Sequence, residues 1–124
     1  MCGTAGIYNF DQSKIDPEIT NSVKDSLEHR GPDFSKIEYI DNNVALIHTR
    51  LAIIDLDQRS NQPMVSKDNR YSIVFNGEIY NFKELSKIYY NRQDFNDTVL
   101  LGKLIEDYGC GGGYLKTQWY VFDC

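Results

Sequence analysis

The sequence of 124 residues lacks the features that would assign it to several large classes of protein. It has no apolar run near the roughly 20 residues that a membrane span needs. Its start, MCGTAGIYNFDQ, has neither the basic segment nor the long apolar segment of a signal peptide. The net charge is −5 and no basic run stands out, so nucleic acid is not an expected partner. These absences predict a cytoplasmic protein that binds neither a membrane nor nucleic acid.

Cysteine and histidine are too few and too scattered to predict a disulfide framework or a zinc site. The three cysteines are Cys2, Cys110 and Cys124, an odd number without a Cys-x-x-Cys pair. Such spacing in an unsecreted chain disfavours disulfides. The two histidines, His29 and His48, have no further ligand nearby at the spacing of a metal site. We therefore expect no bound metal.

Short apolar segments alternate with turn residues along the chain. The segments with strand periodicity are Thr4–Phe10, Lys36–Asp41, Asn43–Asp55, Tyr71–Phe75 and Trp119–Phe122. The segments with helical periodicity start at Asp16, Glu84 and Asp97, and end at Gly31-Pro32, Tyr90 and Tyr108. Strands and helices mix without a βαβ rhythm, which predicts an α+β fold with antiparallel sheet.

Each predicted helix has one apolar side, which is expected to face the core. The predicted inward positions are Ile19, Val23 and Leu27, then Leu85, Ile88 and Tyr89, and finally Leu100, Leu101, Leu104, Ile105 and Tyr108. Asp97 is the expected cap of the last helix, and Gly109 is expected to close it.

The position of Cys2, directly after the initiator methionine, raises a possibility of covalent catalysis. Methionine is readily removed when the next residue is small, and Cys2 would then carry both a thiol and a free α-amine. The reference pKa of an α-amine is about 7.7–8.0, so it can act as a base near neutral pH. A nucleophile beside a base is the minimum for such catalysis. The alternative is an ordinary cysteine of a cytosolic protein.

Three further segments combine polar groups that suit a small charged ligand. Arg50 precedes an apolar run and can bind a carboxylate through two hydrogen bonds, although a surface ion pair would explain it equally. Asn76-Gly77 offers an amide donor and an unhindered backbone N–H, as an oxyanion hole requires, or simply a turn. Asp97 can hold an ammonium group. The stretch His29–Asp33 is either part of such a site or a solvated helix end.

Together these groups suit one class of substrate. A thiol, an amine, two oxyanion donors, an arginine and acidic side chains match an amino acid with a side-chain amide. The simplest such amino acid is glutamine.

The sequence also resembles a known family. The segments that carry the resemblance are MCGTAGI at 1–7, HRGPD at 29–33, HTRLAIIDL at 48–56, QPM at 62–64, FNGEIYNF at 75–82 and NDT at 96–98. They are similar, in order, to the N-terminal class II glutamine amidotransferase domain of glutamine-hydrolysing asparagine synthetases. This resemblance implies an N-terminal-nucleophile hydrolase fold, a four-layer αββα sandwich of two antiparallel sheets.

The resemblance also implies roles for the catalytic residues. Cys2 would be the nucleophile, its own amine the base, and Asn76 and Gly77 the oxyanion hole. The glutaminase step would need no cofactor and would produce glutamate and ammonia through a thioester.

Four residues would bind glutamine by the same resemblance. Arg50 would hold the α-carboxylate, Glu78 and Asp97 the α-ammonium group, and the backbone at Ile53 would line the pocket.

The resemblance covers residue 1 to about 108 and thins after Gly109. We expect residues 1–124 to form a partial, C-terminally incomplete domain without the synthetase (ATP-pyrophosphatase) domain, which would bind ATP and magnesium. The expected partners are glutamine and a synthetase domain or subunit, with self-association through uncovered sheet edges. Two alternatives remain: a non-catalytic fragment, and an amidotransferase for another carboxylate such as a surface sugar.

Overall fold

The computed structural model describes residues 2–52, 60–92, 94–109 and 121–122. The chain divides into two units. The first contains Met1–Met64 and Ser72–Asn76, and the second contains Val65–Tyr71 and Gly77–Cys124.

The first unit is built on a three-stranded antiparallel sheet. Its strands are β1 (Gly3–Tyr8), β2 (Phe34–Asp41) and β3 (Val44–Arg50), with β3 in the centre. β1 and β2 confirm predicted strands, and the turn at Asn42-Asn43 confirms the predicted hairpin. The strand predicted over 43–55 is too long, because β3 ends at Arg50, and residues 53–55 lie outside the described part of the chain.

The first helix, α1 (Pro17–Leu27), begins where the sequence predicts. The carboxylate of Asp16 accepts a hydrogen bond from the N–H of Glu18 at 2.9 Å, which satisfies one of the unpaired donors of the first turn. A short 3₁₀ turn, Glu28–Arg30, follows, and the helical segment ends at Gly31 as predicted.

The buried side of α1 differs from the predicted stripe. Ile19 is 55% exposed, whereas Thr20 is fully buried. The Thr20 hydroxyl donates to the carbonyl oxygen of Pro17 at 2.9 Å and lies 2.6 Å from the hydroxyl oxygen of Tyr39. Because both partners satisfy this hydroxyl, a polar side chain can take the inward position.

The alternation of side chains along β3 determines which of its residues face α1. Ala45, Ile47 and Thr49 share one face, and the hydroxyl of Thr49 donates to the carbonyl oxygen of Leu27 in α1 at 3.0 Å. His48 and Arg50 project from the opposite face. The face of β3 opposite α1 therefore ends in two buried polar side chains.

Short strands connect the sheet to the rest of the chain. β4 (Met64–Val65) and β5 (Ser72–Ile73) pair with each other, so the strand predicted over 71–75 is shorter than expected. The peptide bond between Gln62 and Pro63 is cis.

The second unit contains two helices and a small sheet. β6 (Glu78–Ile79) pairs antiparallel with β7 (Val121–Phe122), and α2 (Phe82–Tyr90) packs against α3 (Asp97–Tyr108). The bounds of α3 confirm the prediction, and Gly109 follows it with φ of 73°, which favours glycine.

Three details of these helices correct the sequence predictions. Ile88 is 57% exposed and Tyr108 is 43% exposed, so neither faces the core as expected. The cap of α3 is Asn96, whose side chain accepts from the N–H of Val99 at 2.8 Å, and not Asp97.

The mixture of helices and antiparallel sheet confirms the predicted α+β class. In the described part of the chain, no helix has both the length and the apolar character that crossing a membrane would require.

Candidate active site

Cys2 lies directly before β1, and two residues distant in sequence hold it. The N–H of Leu51 donates to Sγ at 3.4 Å, while Sγ lies 3.9 Å from the carbonyl oxygen of the same residue. Arg30 donates from Nε to the carbonyl oxygen of Cys2 at 3.2 Å. The thiol is free and half-buried. Both the sulfur and the backbone of Cys2 are therefore fixed by residues distant in sequence.

Arg50 is the last residue of β3 and is only 8% exposed. Its Nη1 donates to Oδ1 of Asn61 at 2.5 Å. Arg50 is therefore not a surface residue. A buried guanidinium, with its planar set of donors shielded from water, is suited to binding a carboxylate.

The HRGPD segment is more than a solvated helix end, because it packs along the end of β3. A Cβ on Gly31 would lie 2.4 Å from the carbonyl carbon of Thr49, so only glycine allows this approach. The N–H of Asp33 donates to the carbonyl oxygen of Arg50 at 3.0 Å, and its Oδ2 accepts from the N–H of Ala52 at 2.7 Å. The segment thus fixes the backbone on both sides of Leu51.

His48 shares the face of β3 that carries Arg50, and it is fully buried. Neither ring nitrogen has a hydrogen-bond partner in the part of the chain that the structure describes. Burial, and secondarily the positive charge of Arg50, lowers the pKa of His48 from 6.5 to about 4. The imidazole is therefore neutral at pH 7.

Asn76 and Gly77 lie between β5 and β6, and both are half-buried. Asn76 belongs to the first unit and Gly77 to the second. The preceding residue, Phe75, is bound through its backbone by the side chain of Gln62, which is 4% exposed.

Two predicted substrate-binding acids, Glu78 and Asp97, both belong to the second unit. Glu78 begins β6, and the N–H of the next residue, Ile79, donates to Oδ2 of Asp97 at 3.3 Å. Oδ1 of Asp97 accepts from the N–H of Thr98 at 2.7 Å. The first turn of α3 is therefore anchored to β6 at the residue that follows Glu78.

The last predicted site residue, Ile53, lies outside the described residues. Among the residues that are described, no group of three or more histidine, cysteine, aspartate or glutamate side chains could hold a metal ion.

Comparison with known proteins identifies the family. A family model described as a glutamine amidotransferase domain matches residues 1–112. The chain belongs to this family.

The relatives of this glutamine amidotransferase domain are much longer proteins. The chain is 35% identical over 127 residues to a putative glutamine-hydrolyzing asparagine synthetase 2 of Methanocaldococcus jannaschii, covering 88% of the chain and 24% of that relative. It is 34% identical to the glutamine-hydrolyzing asparagine synthetase 2 of Bacillus subtilis, covering 90% and 15%. A glutamine-hydrolyzing asparagine synthetase of Triphysaria versicolor is also 34% identical, covering 88% and 19%. The chain thus spans less than a quarter of the length of these relatives.

Three side chains around the candidate site have no role predicted from the sequence. They are Arg30 on the carbonyl of Cys2, Asn61 on Arg50, and Gln62 on the residue before Asn76. Arg30 and Gln62 occur in the HRGPD and QPM segments that carry the family resemblance, so the motifs marked them without revealing their contacts.

Proposed function

We propose that this amidotransferase domain hydrolyses the side-chain amide of glutamine to glutamate and ammonia, with Cys2 as the nucleophile. The observation that supports this most is the position of Cys2 beside the end of β3, where the strand ends in the buried Arg50. There Leu51 binds the thiol of Cys2 and Arg30 binds its carbonyl oxygen. The family match and the names of the relatives agree with glutamine as the substrate.

The proposed reaction begins after Met1 has been removed. The thiol sulfur of Cys2 bonds to the side-chain carbonyl carbon of glutamine, and the α-amine of Cys2 takes the thiol proton. Charge on the carbonyl oxygen is stabilised by the side-chain amide of Asn76 and the N–H of Gly77. The amine then gives its proton to the leaving nitrogen as the C–N bond breaks, which releases ammonia and leaves a thioester.

Water completes the reaction. A water molecule adds to the thioester carbonyl and gives up a proton to the Cys2 amine, and the C–S bond breaks to release glutamate and return the thiol. The free amine thus serves as base and acid in both halves. No cofactor takes part in the glutaminase step.

Residues of the chain are assigned to both charged groups of glutamine's amino-acid end, the α-carboxylate and the α-ammonium group. Arg50 would hold the α-carboxylate, Glu78 and Asp97 the α-ammonium group, and the backbone of Ile53 would line the pocket. The buried guanidinium of Arg50 supports the first assignment, since a charged hydrogen bond shielded from water is strong.

We further propose that the ammonia serves ATP-dependent synthesis of asparagine from aspartate, as the names of the relatives suggest. ATP and magnesium would then bind to a synthetase domain or subunit, and this chain would be part of a four-layer αββα domain.

The test is release of glutamate from glutamine by the purified protein. We expect Cys2→Ala to abolish release. Loss of one charged hydrogen bond, worth about 1.5–3 kcal/mol, predicts that Arg50→Lys raises KM roughly 10- to 100-fold. Arg70→Lys is the matched control, because Arg70 is exposed and pairs with Asp68. Folded wild-type protein that releases no glutamate would contradict the proposal and favour a non-catalytic fragment.

A further inference from the structure

The side chain of Gln62 is bound to the backbone of Phe75 through both ends of its amide. Nε2 donates to the carbonyl oxygen of Phe75 at 3.1 Å, and the N–H of Phe75 donates to Oε1 at 2.5 Å. A primary amide offers one donor and one acceptor side by side, so it pairs with this residue as the backbone of an adjacent strand would. Gln62 is 4% exposed, and both residues lie in the first unit.

These two bonds reach a part of the chain that ordinary secondary structure leaves unsupported. β5 ends at Ile73 and β6 begins at Glu78. Residues 74–76 belong to no strand or helix, and within the described residues they make no backbone–backbone hydrogen bond. The amide of Gln62 therefore supplies the hydrogen bonds that a sheet would otherwise provide just before Asn76.

We propose that Gln62 is a positioning residue for the oxyanion hole. By fixing the peptide groups of Phe75, it sets the direction of the next residue, Asn76, and of the N–H of Gly77. This inference rests on the proposed function, in which those two groups face the developing oxyanion. Oxyanion donors act because they are already aimed at the charge before it forms, so a small displacement removes much of their effect.

Two substitutions separate the hydrogen bonds from the volume of the side chain. Gln62→Met keeps a similar length and makes neither bond. Gln62→Glu keeps the acceptor for the N–H of Phe75 and loses the donor to its carbonyl oxygen. Asn43→Leu is the matched control, because Asn43 is another buried amide of the first unit, 7% exposed, that donates to the carbonyl oxygen of Asn9 at 3.2 Å.

The first measurement is steady-state hydrolysis of glutamine. We expect Gln62→Met to lower kcat roughly 10- to 100-fold, since a misplacement of about 1 Å can slow a reaction by about that factor. We expect KM for glutamine to stay within about twofold, because oxyanion contacts act only in the transition state. Gln62→Glu should lower kcat as well. Asn43→Leu should lower the denaturation midpoint without changing kcat.

The second measurement is alkylation of Cys2 by iodoacetamide, followed on the N-terminal peptide by mass spectrometry. Alkylation displaces iodide from carbon and forms no oxyanion, so we expect the same rate in wild type and both Gln62 variants. A purely structural role for Gln62 would instead disturb alkylation and hydrolysis together.

The outcomes distinguish this inference from the proposed function. Wild-type protein that releases no glutamate overturns both. Active wild type with an unchanged kcat in Gln62→Met overturns the inference alone. Two further results would also overturn the inference alone. One is that Asn43→Leu lowers kcat as much as Gln62→Met does at equal loss of stability. The other is that Gln62→Met slows the alkylation of Cys2 as much as it slows hydrolysis.

Discussion

The buried imidazole of His48 makes the stability of this fold depend on pH in a defined window. The unfolded chain takes up a proton at this side chain near pH 6.5, whereas in the folded protein the pKa is about 4. Folded His48 therefore binds fewer protons than unfolded His48 between these two values. The unfolding free energy must then fall as the pH drops from about 6.5 toward 4.

The magnitude follows from the two pKa values. At about 1.4 kcal/mol for each pKa unit, the difference between 6.5 and about 4 corresponds to about 3 kcal/mol. This contribution is fully present above pH 6.5 and is lost by pH 4. It is a large part of the 5–15 kcal/mol or so that stabilises a typical domain. Its physical source is burial without a hydrogen-bond partner in the described residues, with the charge of Arg50 adding to it.

Urea denaturation at a series of pH values between 7.5 and 4.5 measures this contribution. His48→Leu removes the titrating group at similar volume. The unfolding free energy of wild type minus that of the variant should therefore fall steadily as the pH drops below 6.5. His29→Leu is the matched control, because His29 is the only other histidine and is exposed. Parallel pH curves for wild type and His48→Leu would show that His48 does not cause the pH dependence. The same conclusion would follow if His29→Leu responded to pH as His48→Leu does.

The remaining predictions concern two local features of the fold. Gly31→Ala should lower the unfolding free energy by roughly 1–3 kcal/mol in urea denaturation. The reason is that the added Cβ would lie 2.4 Å from the carbonyl carbon of Thr49, a backbone atom of β3. An unchanged unfolding free energy would show that the strand moves away. Asn96→Ala should lower the unfolding free energy by about 1 kcal/mol, because the N–H of Val99 loses its cap at the start of α3. Asn96→Ser, which can also cap, should recover most of that loss, and a variant with serine no better than alanine would contradict this role.

Local sequence patterns were enough to predict the elements whose signals lie within a few residues. α3 runs from Asp97 to Tyr108 as expected, because a polar start, spaced leucines and a final glycine all agree. The first helix starts at its capping Asp16 for the same reason. The cap of α3 was misplaced by one residue, since Asn96 and Asp97 are both good capping residues and only geometry separates them.

Burial and long-range contacts could not be predicted in this way. The pattern of α1 favoured Ile19 as an inward residue, but the hydroxyl of Tyr39, on another element, makes Thr20 the buried one. Likewise the sequence gives no sign that Arg30 reaches the carbonyl of Cys2, 28 residues away in the chain. The motifs marked Cys2, Arg50 and Asp97 as candidates, and the fold shows which groups hold each of them.

In the proposed reaction, Cys2 carries both the nucleophile and the base. The most direct test compares glutamate release by two preparations of the chain: one with Met1 removed, and one that keeps Met1 because the host lacks methionine aminopeptidase. Intact mass establishes which form is present. We expect the form without Met1 to release glutamate and the other form to release none, because its Cys2 nitrogen is held in a peptide bond. Equal rates for the two forms would contradict it.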